Sequence, residues 1–67
     1  MRIGFIGLGN VGGKLASNLL NNNFDLMVFD KDSEILNQFK NKGSKVASSI
    51  EELVFNNDIL ITCLPSP

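Results

Sequence analysis

Gly7, Gly9 and Gly12 fall at the spacing GxGxxG within Gly7-Leu8-Gly9-Asn10-Val11-Gly12, and Asp30 follows eighteen positions after the last glycine. Residues of these types at these distances suit one kind of chemistry, the cradling of a pyrophosphate and its adjoining ribose. Gly7 lets the chain turn sharply out of a strand. Gly9, having no Cβ, lets backbone approach a phosphate closely. Gly12 lets a following helix pack tightly against the strand. The N–H groups around Asn10, Val11 and Gly12 would open that helix, where they lack intrahelical partners and point toward an anion favoured by the helix dipole.

An acid at the end of the next strand accepts hydrogen bonds from adenosine ribose hydroxyls and repels the additional phosphate of NADP. Asp30 therefore favours NAD over NADP, although the neighbouring Lys31 is a cation able to accommodate part of that phosphate. The expected cofactor-binding residues are Gly7, Leu8, Gly9, Asn10, Val11, Gly12, Asp30 and Lys31.

The flanking sequence supplies the elements that would position these groups. Ile3 to Ile6 reads as a buried strand leading into the glycines. Val11, Leu15, Ala16, Leu19 and Leu20 recur near helical spacing, predicting a helix over about residues 10 to 21. Asn21-Asn22-Asn23 stops it, since asparagine tolerates the left-handed conformation at helix ends. Leu26 to Phe29 is a second apolar run ending at Asp30. Asp32 or Ser33 can cap a second helix, with Ile35, Leu36 and Phe39 on its inner face, Lys40 and Lys42 near its end, and Gly43 terminating it.

Val46-Ala47 forms a short third strand in this reading. Ser48 and Ser49 each precede a glutamate by three residues, a capping-box pattern for a third helix through about Phe55. Ile59 to Leu64 is a fourth strand, closed by Pro65. Leu64 and Pro65, at its carboxyl end beside the expected topological switch point, join the cofactor-contact candidates. The central strands are continuously apolar, which reads as parallel and buried on both faces, and the sheet is expected to end at its fourth strand with an apolar edge. The expected fold is an α/β, Rossmann-type doubly wound parallel sheet, incomplete, with about four strands and three helices.

The chain has 67 residues, 43% of them hydrophobic, with a net charge of −1 and no histidine. The charge gives no footprint for nucleic acid or an anionic membrane surface. No apolar run approaches the roughly 20 residues of a membrane-spanning helix, and no signal peptide is legible. The lack of histidine excludes histidine-based catalysis and histidine-metal clusters within these residues. Cys63 is the single cysteine. It fits a reducing, cytoplasmic compartment and reads as a buried strand residue, because nothing basic flanks it. Lys14 reads as solvated.

The segments Ile3 to Gly12 and Leu15-Ala16-Ser17-Asn18-Leu19 resemble the amino-terminal signature of the β-hydroxyacid dehydrogenases, a family that includes 3-hydroxyisobutyrate dehydrogenase, tartronate semialdehyde reductase and, more distantly, 6-phosphogluconate dehydrogenase. Val28-Phe29-Asp30 and Ile61 to Pro65 are also similar to it. Val11 and Leu15 stand where the family usually has methionines, and Gly13 is an additional glycine within the first helical turn, at a cost in helix stability.

The resemblance covers nearly the whole chain. It implies NAD(P)-dependent oxidation of a 3-hydroxy acid, or reduction of a semialdehyde, with Gly7 to Gly12, Asp30 and Leu64-Pro65 contacting the dinucleotide. It also implies that a substrate-binding Ser-Gly-Gly segment, a catalytic lysine and a helical carboxyl-terminal domain that mediates dimerisation lie beyond position 67. On this reading residues 1–67 are the amino-terminal part of a dinucleotide-binding domain and carry no catalytic residue. The residues alone leave open a non-enzymatic dinucleotide-sensing or interaction module, and another Rossmann reductase of the pyrroline-carboxylate or ketopantoate type.

Overall fold

The computed structural model describes residues 1–63, with backbone alone at positions 10 and 11. Strand and helix alternate along it as β1 (Arg2–Ile6), α1 (Asn10–Asn21), β2 (Asp25–Phe29), α2 (Ser33–Asn41), β3 (Lys45–Val46), α3 (Ile50–Asn56) and β4 (Ile59–Thr62). All strand pairs are parallel, and the sheet runs in the order β3-β2-β1-β4. That order reverses direction beside β1, so a crevice opens at the carboxyl ends of β1 and β4.

Each helix end has a local chemical cause. Asn23 takes φ 65, and Phe24 N–H and Asn23 N–H donate to Leu19 C=O and Leu20 C=O, a Schellman closure of α1 with asparagine in the left-handed position. Gly43, at φ 101, closes α2 in the same way: Ser44 N–H donates to Phe39 C=O and Gly43 N–H to Lys40 C=O. Asp32 rather than Ser33 caps α2, its Oδ1 accepting from Glu34 N–H at 3.0 Å. Of the two serine-glutamate pairs, Ser49 and Glu52 set the start of α3. Ser49 Oγ accepts from Glu52 N–H at 3.1 Å, and Glu52 Oε1 reaches back to Ser48 N–H at 2.7 Å.

Packing follows the strand alternation. Ile3 and Phe5 pair in register with Leu26 and Val28, and these four join Leu8, Ala16 and Phe39 in a core beneath α1 and α2. The opposite face of β1 carries Gly4, over which α3 sits closely: a Cβ there would lie 2.8 Å from Leu60 Cδ2 and 3.1 Å from Leu53 Cγ. Leu53 is fully buried.

Two expectations, the position of β3 and the burial of Cys63, are corrected. β3 is Lys45–Val46, one residue earlier than Val46-Ala47, although Ala47 N–H still bonds Val28 C=O at 2.9 Å. β4 is the expected apolar edge: Ile59, Leu60 and Thr62 are exposed and Ile61 half-buried, because β4 pairs only with β1 among the described residues and α3 leans toward β1 and β2. β4 ends at Thr62, so Cys63 is half-buried just past the strand rather than buried within it. It still extends the ladder by one bond, Cys63 N–H to Ile6 C=O at 2.8 Å.

Candidate cofactor-binding site

The glycine segment occupies the turn from β1 into α1. Gly7 has φ 92, a conformation that an L side chain rarely adopts, and a Cβ there would also collide with the Cys63 carbonyl. Its N–H still closes the ladder to Phe29 C=O at 3.0 Å, so the chain leaves the strand immediately after a paired residue. Gly12 is buried, and a Cβ on it would meet the Gly7 carbonyl and stand 3.1 Å from Cys63 Cβ. Gly9, by contrast, is exposed: apart from its chain neighbours, no atom of the described residues lies within 4 Å of a Cβ placed there.

The three glycines thus divide into two that the protein itself crowds and one with room outside it. This is the arrangement required if a ligand phosphate approaches backbone at Gly9.

Gly9 is also the N-cap of α1 and offers no side chain to the helix end. Gly13 N–H returns to Gly9 C=O at 2.7 Å, the first intrahelical bond. The N–H groups ahead of it have no carbonyl one turn back, by helix geometry. No acidic residue stands in the first turn of α1, so nothing there competes with an incoming anion for the positive helix end. A dinucleotide pyrophosphate fits this cradle. Gly13 has a local reason of its own, since a methyl group there would lie 3.1 Å from Leu8 C=O.

Asp30 follows β2 directly and stands beside the same turn. Its Oδ2 accepts from Leu8 N–H at 2.7 Å and its Oδ1 from Asp32 N–H at 2.9 Å. The carboxylate is half-buried, while Lys31 is exposed. Leu8 itself buries its side chain in the core at 4% exposure. The fold therefore brings Gly7, Leu8, Gly9, Gly12 and Asp30 together, with the backbone of Asn10 and Val11 opening α1 between them. Leu64 and Pro65 lie outside the described residues.

Sequence reasoning missed Cys63 as a wall of the site. Its carbonyl and Cβ back onto Gly7 and Gly12, and the only sequence signal for this was its place at the end of β4. A separate open hollow of about 610 Å³ lies between α1 and α2, lined by Lys14, Ser17, Ile35 and Lys42 among others. It shares Leu8 and Gly9 with the turn but is not lined by Asp30, and so is not the crevice at the strand ends. Among the described residues no group of His, Cys, Asp and Glu is placed to hold a metal, and no helix is long and apolar enough to cross a membrane.

A parallel sheet of this order, with a glycine turn at its switch point and an acid at the end of the adjoining strand β2, defines a dinucleotide-binding fold of the Rossmann class. Residues 2–67 match the family model of the NAD binding domain of 6-phosphogluconate dehydrogenase, and the chain belongs to that family. It is 44% identical over 64 residues to a probable mitochondrial 3-hydroxyisobutyrate dehydrogenase of Dictyostelium discoideum, which covers 96% of this chain and 20% of the relative. It is 38% identical over 64 residues to the 3-sulfolactaldehyde reductase of Escherichia coli K12, covering 96% of the chain and 22% of that protein.

Among solved structures, the 3-hydroxyisobutyrate dehydrogenase of Mycobacterium tuberculosis superposes with a TM-score of 0.87 at 33% identity, over 96% of this chain and 22% of that one. The chain spans about a fifth of the length of the curated relatives it matches.

Proposed function

We propose that this chain holds the adenosine and pyrophosphate of NAD for an oxidoreductase that interconverts a 3-hydroxy acid and its semialdehyde. The observation carrying the reading is the glycine turn at the β1–β4 switch point, open at Gly9, with the Asp30 carboxylate beside it. The dehydrogenase and reductase relatives support the reaction class. Hydride transfer belongs to the nicotinamide when bound. This chain's part is to orient the dinucleotide through the α1 amides, Gly9 and Asp30, with Leu8 fixing the turn and Leu64-Pro65 as further contacts to the dinucleotide.

Asp30 favours NAD over NADP, because a carboxylate beside the ribose repels a 2′-phosphate; Lys31 moderates that preference. Substrate binding, proton transfer and dimerisation reside in residues outside these 67. A reducing, cytoplasmic setting is proposed on the lone Cys63, although the Dictyostelium relative is named mitochondrial. Calorimetric titration with NAD and NADP tests the central claim: tighter binding of NAD, lost in Gly9→Ala, is expected. Equal affinity for both dinucleotides would remove the specificity role of Asp30, and no binding of either would remove the cofactor reading.

A further inference from the structure

We propose that Asp30 is a positioning residue that latches the glycine turn to the end of β2, and that this action on cofactor affinity is independent of any contact it makes with the ribose. The inference rests on the cofactor-binding reading above and adds a second way for the same residue to act.

The β1–β2 ladder ends with Gly7 N–H on Phe29 C=O at 3.0 Å. The next amide along the chain, that of Leu8, belongs to a segment already turning away through the left-handed Gly7. Its acceptor is a side chain from the neighbouring strand's end: Asp30 Oδ2, at 2.7 Å and partly shielded from water. The other oxygen, Oδ1, takes Asp32 N–H at 2.9 Å, and Asp32 in turn caps α2. One carboxylate thus ties the β1–α1 turn to the β2–α2 connection.

Leu8 is held from both sides, by its side chain in the core and by its N–H on an ionised acceptor, and such charge-assisted bonds are about twice as strong as neutral ones. Gly9 and the first amides of α1 follow Leu8 directly, so the latch fixes where they point. Each carboxylate oxygen retains a second lone pair, so ribose hydroxyls can be accepted without breaking either bond.

The test compares two probes, ADP and 2′,3′-dideoxy-ADP, the second lacking both ribose hydroxyls. Affinities are measured for this chain and for Asp30→Asn, which is nearly isosteric but must turn an NH2 group toward one of the two amides. A latch predicts that Asp30→Asn weakens both probes by a similar factor, about tenfold or more. A loss confined to ADP, with dideoxy-ADP unchanged, would overturn the proposal, because it leaves Asp30 acting on the ribose alone.

Hydrogen exchange at the Leu8 amide supplies a readout that needs neither ligand nor variant. In the parent chain it is expected to be protected like the ladder amides of β1, and an unprotected Leu8 amide overturns the latch even if the variant fails to fold. If the parent chain binds neither probe, the cofactor reading fails, and faster Leu8 exchange in Asp30→Asn still decides the latch by itself.

Discussion

The carbonyl oxygen of Gly7 occupies the space into which a Cβ on Gly12 would project. The first and last glycines of the segment therefore constrain each other within the protein, whereas Gly9 faces outward. Gly12→Ala gains up to about 1 kcal/mol of helix propensity. It loses more, about 1–3 kcal/mol, to the displacement of backbone that has no rotamer by which to yield. Net destabilisation in urea unfolding is expected.

Gly9→Ala separates fold from function at the same turn. Apart from its chain neighbours, its methyl group meets no atom of the described residues within 4 Å, so stability should stay within about 0.5 kcal/mol of the parent. NAD affinity should fall by about tenfold or more, since the methyl group enters the space a phosphate would take; tenfold corresponds to ~1.4 kcal/mol. Unchanged binding in calorimetry would place the phosphates elsewhere.

The two left-handed helix caps make a matched pair. Gly43, at φ 101, takes a conformation that penalises any Cβ, so Gly43→Ala should cost about 1–2 kcal/mol although, its chain neighbours aside, no atom of the described residues lies within 4 Å of it. Asn23, at φ 65, already bears a side chain there, so Asn23→Gly should be neutral or stabilising by a few tenths of a kcal/mol. Urea midpoints of the two variants should move in different amounts, with only Gly43→Ala clearly less stable.

Much of this architecture was legible because its signals are local. The Asn21 to Asn23 run and Gly43 announce helix ends by φ alone, and they fall at Asn23 and Gly43 in the structure. The glycine spacing located the turn, and the strand-end position located Asp30 beside it. What stayed illegible depends on neighbours distant in the chain. Cys63 becomes a wall of the turn only because β4 lies next to β1. The bond from Leu8 N–H to Asp30 spans 22 positions, and no periodicity encodes it.

The start of α3 rests on Ser49 rather than Ser48. Ser49 Oγ accepts from Glu52 N–H, whereas Ser48 contributes its own N–H and Oγ to Glu52 Oε1 at 2.7 and 3.3 Å. Ser49→Ala leaves a helix amide without its acceptor and should cost about 1 kcal/mol. Ser48→Ala keeps the shorter bond, which comes from backbone, and should cost less than half of that in the same urea titration. Equal losses would show that the cap is shared between the serines.

The outer edge of β4 sets the association behaviour. β4 pairs with β1 alone among the described residues, and Ile59 is 42% and Leu60 41% exposed along it. Phe55, at the end of α3 just before β4, is 88% exposed. An unpaired parallel edge bearing apolar side chains is a template for another strand. Chains of this length bury only about 60% of their unfolded surface, so little stability opposes such pairing. The 67-residue chain should therefore associate as its concentration rises, with the sedimentation coefficient increasing in step. Ile59→Lys sets a charge on the edge, and Phe55→Lys removes the most exposed aromatic. Both variants should shift the onset of association to higher concentration, with the larger effect at Ile59 if strand pairing is the contact and at Phe55 if the helix face is. A sharp unfolding transition independent of concentration, from a chain that sediments as a monomer throughout, would show that the edge is adequately protected.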